Sequence, residues 1–80
     1  MTEQQIEEKL AGQLAALLGL EPSAVQGGAQ LQALGMDSMK FVELFIFIEK
    51  EFGVELISTD MQRSDLETPQ ALAASIARNL

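Results

Sequence analysis

Ile6, Leu10, Leu14, Leu17 and Leu18 follow one another at spacings of four, four, three and one, the stripe of an amphipathic helix that buries one face. No part of the chain alternates apolar and polar residues as a half-buried strand does, and no two-residue hairpin turn is present. The chain is therefore constrained to pack helix against helix. Thr2 followed by Gln5 fits a capping box, Glu3, Glu7 and Glu8 lie where the helix dipole favours negative charge, and Gly19 is placed to stop the helix.

From Leu20 to Met36 the periodicity breaks, with Pro22, Gly27, Gly28 and Gly35 marking turns. A connection of that length is uncommon in a small domain unless it is functional or pinned by its own side chains. Val25, Leu31 and Leu34 are the candidate pins. The second helix is expected to begin near Asp37 or Ser38 and to end at Gly53. At about 100° per residue, Phe41, Leu44, Phe45, Ile48 and Phe52 share the arc expected to face the core. Met39, Val42 and Ile46 form a second arc bordered by Glu43, Glu49 and Lys50, more apolar surface than one buried face needs. Phe47 fits neither arc. Beyond "GVELIS", Thr59 or Asp60 is placed to cap a short helix carrying Met61. Thr68 with Pro69 is a strong start for a last helix, along which Leu72, Ile76 and Leu80 run at spacing four.

These elements predict an all-α fold: a small antiparallel four-helix bundle of three longer helices and one short one, with a long loop between helices one and two. Residues 1–80 are expected to form a single domain. A chain this short buries only about 60% of the surface it exposes when unfolded, so a deep enclosed active site is not expected. The net charge of −7 disfavours nucleic acid and anionic lipid and favours partners with a basic surface. Cysteine and histidine are both absent, which removes the thiol nucleophile, the commonest general base and the commonest metal ligands. No alternating Asp/Asn run resembles a calcium loop, and no carboxylate pair is set up for acid–base catalysis. The opening "MTEQQIEEKL" is acidic and polar, unlike a signal peptide, and no apolar run approaches the roughly 20 residues that span a bilayer. A cytoplasmic monomer without stable membrane insertion is expected.

The triplet Met36-Asp37-Ser38 sits between the glycine loop and the apolar second helix. On helix grammar alone, Asp37 and Ser38 are a cap. A helix start is equally a favourable place for a phosphate, because free N–H groups and the dipole both stabilise negative charge. The residues alone leave both readings open.

At these residues the chain resembles the acyl carrier proteins. "LGMDSM" looks like that family's attachment motif, Leu-Gly-x-Asp-Ser-Leu/Met, and the resemblance extends through "FVELFIFIEKEFGVEL" after it and "GLEPSAVQGGAQL" before it, nearly the whole chain. The resemblance implies that Ser38 is esterified with 4′-phosphopantetheine, donated from coenzyme A by a phosphopantetheinyl transferase. It implies a carrier without catalysis of its own, which receives acyl or aminoacyl groups as thioesters from a loading enzyme and presents them to enzymes of a fatty acid, polyketide or aminoacyl-transfer pathway. By position, Met39, Val42 and Ile46 match the family's exposed apolar contacts, Glu43 an acidic contact for basic partner residues, and Asp37 a contact for the transferase or its metal. Lys40 and Lys50 stand where fatty-acid carriers usually show acidic residues, the segment around "STDMQRSDLE" looks longer than usual, and Phe41, Phe45 and Phe47 are bulkier. These departures imply a specialised carrier with little room for a long acyl chain. The competing expectation is an unmodified acidic helical adaptor that docks a basic protein partner.

Overall fold

Thr2 sets the start of the first helix by the reciprocal exchange its spacing to Gln5 predicts. The Gln5 amide donates to Thr2 Oγ1 at 3.1 Å and the Thr2 amide donates to Gln5 Oε1 at 2.9 Å, which satisfies two of the amides that a helix start leaves free. The computed structural model describes residues 2–56 and 63–80. Helix α1 spans Glu3–Leu18 and ends at Gly19, whose φ of +68° is a left-handed conformation that glycine adopts without steric cost. Ile6, Leu10, Leu14 and Ala15 of α1 are buried, while Leu17 and Leu18 pack at the edge of the core.

The long connection is held rather than free. Pro22–Ala24 makes one turn of 3₁₀ helix, and Val25, Leu31 and Met36 enter the core with Leu34 packed against them. Two backbone hydrogen bonds join the loop to the approach to the last helix: the Leu31 amide donates to the Glu67 carbonyl at 2.9 Å, and the Gln70 amide to the Gly27 carbonyl at 3.0 Å. The Met36 amide closes back on the Leu31 carbonyl at 3.1 Å, across Gly35 at a φ of +107°.

Helix α2 spans Ser38–Phe52 and stops at Gly53, with a φ of +72°. Leu44 and Ile48 are fully buried, and Phe41, Phe45 and Phe52 are partly buried beside them, as their shared arc predicts. Phe47, which periodicity left without a place, is also partly buried and meets the Phe52 ring edge-on, with centroids 6.3 Å apart and planes at 87°. Val54 and Leu56 return to the core after α2.

The expected short helix capped by Thr59 or Asp60 and carrying Met61 lies outside the described residues. Their second stretch opens with a 3₁₀ turn, Arg63–Leu66. Helix α3 spans Pro69–Arg78, with Pro69 in its first turn and the Thr68 hydroxyl accepting from the Ala71 amide at 3.0 Å. Leu72, Ala73, Ser75 and Ile76 are buried. Leu80 does not continue the run of Leu72 and Ile76. The helix ends at Arg78, two residues before it, and leaves Leu80 exposed. Helix α3 packs against α1, and the core lies between the three helices and the pinned loop. The fold is all-α, a small helical bundle, and the described residues contain no strand.

Candidate functional site

Asp37 and Ser38 share the start of α2 but divide its tasks. Asp37 is the N-cap, in extended backbone, and its Oδ1 accepts from the Lys40 amide at 2.9 Å. Its Oδ2 faces the ammonium of the same residue, Lys40 Nζ, at 3.3 Å. The bond from the Lys40 amide, then that from its ammonium, holds the Asp37 carboxyl below its ordinary pKa, and the Met39 amide adds in the same direction. A carboxyl depressed in the folded state contributes stability that is present above its unfolded pKa and lost as pH falls through the folded one. NMR titration of the side-chain carboxyl carbons is therefore expected to find Asp37 still ionised at a pH where an unperturbed aspartate is half protonated, with α2 start signals moving only at lower pH.

Ser38 takes no part in the cap. It occupies the first helical position, is exposed to solvent, and makes no side-chain hydrogen bond within the described residues. Its hydroxyl therefore stands at the positive end of the α2 dipole with no side-chain hydrogen bond to break.

The second apolar arc is on the surface. Met39 is 79% exposed, Val42 50% and Ile46 47%, and Glu43 beside them is exposed as well. At about 1.5 Å of rise per residue the arc extends roughly 12 Å along α2 from Ser38 to Ile46. Leu44 and Ile48, on the opposite arc, anchor the helix to the core, so the apolar surface is presented on a fixed support.

One turn from Ser38, Phe41 forms part of an open recess of about 260 Å³, shared with Gln30 and Gln32 of the loop and with Leu66 and Glu67 before α3. It is smaller than the roughly 300–1,000 Å³ of pockets that enclose a drug-sized ligand. The Phe41 ring packs on Phe45 with centroids 6.1 Å apart. Periodicity along α2 gave no sign of the recess, because its walls come from three separate stretches of chain. The Asp37–Lys40 pair is a different case: opposite charges three residues apart at a helix start are a signal that sequence carries. No cluster of three or more acidic side chains able to hold a metal occurs among the described residues, and no helix there is long and apolar enough to cross a membrane.

The arrangement defines a small helical domain that offers a serine hydroxyl and an apolar helix face on its exterior. Comparison with known proteins places it. Residues 1–78 match the family model described as the C-terminal ACP domain of the highly reducing polyketide synthase sdgA. Over 64 residues, 80% of the chain, it is 36% identical to the non-reducing polyketide synthase pkdA of Emericella nidulans. It is 40% identical over 57 residues to an acyl carrier protein of Cyanidioschyzon merolae, covering 70% of this chain and 63% of that one. With an acyl carrier protein of Nitratidesulfovibrio vulgaris it shares 34% over 59 residues, covering 72% and 78%. The chain spans 2% of the length of the synthases it matches. It belongs to the acyl carrier protein family, and its class is that of a carrier protein.

Proposed function

We propose that Ser38 carries 4′-phosphopantetheine, transferred from coenzyme A by a phosphopantetheinyl transferase, and that the chain is a non-catalytic carrier for acyl intermediates of a polyketide-type pathway. The observation that carries this reading is the division of labour at the start of α2, where Asp37 alone makes the cap and the Ser38 hydroxyl is exposed and uncommitted. A phosphodiester there gains from the α2 dipole and clashes with no buried group. When attached, the arm supplies a terminal thiol that holds the acyl group as a thioester, a function the chain's own side chains cannot provide because it has no cysteine. Tethering keeps cargo at an effective concentration on the order of millimolar once a partner is docked.

In this reading Asp37 contacts the transferase or its metal, and Met39, Val42, Glu43 and Ile46 are the surface read by the transferase, by a loading enzyme and by downstream acyl-transferring enzymes. A modest apolar centre with a charged rim suits encounters that are fast and reversible. The protein works in the cytoplasm as a single-domain monomer or as one carrier unit of a larger synthase. A small recess with polar glutamines on its rim favours a short or oxygenated acyl unit over a long alkyl chain.

The test is intact mass before and after incubation with coenzyme A, Mg²⁺ and a broad-specificity phosphopantetheinyl transferase, followed by peptide mapping. One adduct on the peptide containing Ser38 is expected; none, or one elsewhere, overturns the proposal. The docking surface has its own test in Val42→Arg. Because Val42 is half exposed, the variant is expected to keep its stability within about 0.5 kcal/mol. Its KM in the transferase reaction is expected to rise about tenfold, the loss of roughly 1.4 kcal/mol at a contact in the centre of an interface.

A further inference from the structure

The pairing of Asp37 with Lys40 bears on how the carrier is recognised for loading. Both oxygens of the Asp37 carboxylate are engaged by one residue, Oδ1 by the Lys40 amide at 2.9 Å and Oδ2 by its ammonium at 3.3 Å. The first of these is the helix cap and remains whatever side chain stands at position 40. The second is an ion pair between side chains that are 59% and 34% exposed, a pairing that high dielectric and salt keep weak. A partner approaching Asp37 with a cation, whether a lysine, an arginine or a bound divalent ion, meets a carboxylate that already has a counter-ion and must displace it. Glu43, on the Met39 side of α2, has no ammonium partner among the described residues, so it is the free anion nearest Ser38 on that face.

We propose that Lys40 is a specificity-determining residue of the loading step: by masking Asp37 it weakens recognition by transferases that reach this carboxylate with a cation, and it shifts the electrostatic part of docking towards Glu43. The inference rests on the reading of Ser38 as the attachment residue. Lys40 is a positioning residue here, acting through Asp37 and touching neither coenzyme A nor the reacting hydroxyl.

The test is a double-mutant cycle on the apo-carrier, with coenzyme A, Mg²⁺ and a broad-specificity bacterial transferase. Lys40→Met removes the ammonium and keeps the length of the side chain, Lys40→Arg restores the charge, and Asp37→Asn keeps a capping oxygen while removing the carboxylate charge. Lys40→Met is expected to lower the KM for apo-carrier about two- to fivefold, the range that exposed ion pairs span, with kcat unchanged. Lys40→Arg is expected to return KM to the parent value. In the Asp37→Asn background the Lys40→Met effect is expected to vanish, and in about 1 M salt, where the screening length falls to about 3 Å, it is expected to close in the parent as well. An unchanged or higher KM for Lys40→Met, or a lower KM that persists with Asp37→Asn, overturns the role of Lys40. Absence of an adduct in every variant instead overturns the assignment of Ser38, so the two failures are distinct.

Discussion

Ser38→Ala is expected to abolish covalent loading completely while leaving the bundle folded. The hydroxyl is the acceptor of the phosphopantetheine group in the proposed reaction, and no neighbouring residue offers a substitute at the same place: Asp37 is a carboxylate committed to the cap and Met39 has no nucleophile. The fold does not depend on that hydroxyl, since Asp37 caps α2 and Ser38 is exposed. Alanine is the best helix former, so the melting transition is expected to stay within about 0.5 kcal/mol of the parent. Circular dichroism and intact mass together make the comparison. An acidic adaptor that binds through Met39, Val42 and Ile46 would keep its function in this variant, whereas a carrier loses all of it. Pairing the two measurements also separates loss of the acceptor from loss of the fold.

The largest effect on stability is expected from Leu31→Ala, although Leu31 lies in no helix. Its side chain is fully buried, its amide donates to Glu67, and its carbonyl accepts from Leu34 and Met36. Removing a buried leucine side chain costs about 2–5 kcal/mol, depending on how far the surroundings close over the cavity. At roughly 0.05–0.15 kcal/mol per residue, the whole domain has only about 4–12 kcal/mol of stability. One substitution in a connecting segment is thus expected to remove a large share of it, with a corresponding fall in the urea midpoint. Gln32→Ala, one residue along and exposed, is expected to change that midpoint little. Equal midpoints for the two variants would show that the loop does not anchor the bundle.

Much of this fold could be read from local signals. Thr2 with Gln5, Asp37, and Thr68 with Pro69 start helices where their chemistry says they should, and Gly19 and Gly53 end two of them. The separation of α2 into a buried arc and an exposed one was likewise legible, because both follow from one helical period. What escaped are facts that depend on distant chain. Met36 joins the buried core although it lies in the loop, and the recess exists only because loop, α2 and the approach to α3 converge. Phe47 finds its place on Phe52 through ring geometry that a helical wheel does not describe. Leu80 shows the opposite error, where a spacing persists in the sequence after the helix has stopped. The motif at Asp37-Ser38 carried the family, but no local pattern encodes a cargo.

The two arcs of α2 also divide the ways in which this chain is free to change over evolutionary time. Substitutions at Leu44 or Ile48 are filtered by whether the bundle survives, whereas those at Met39, Val42 and Ile46 bear little on folding and, in the proposed docking role, are filtered by whichever enzymes must be met. If the outer stripe is the docking surface proposed above, variation along it redirects a carrier from one assembly line to another without rebuilding its interior, and the same stripe is where an engineer would begin to rewire it.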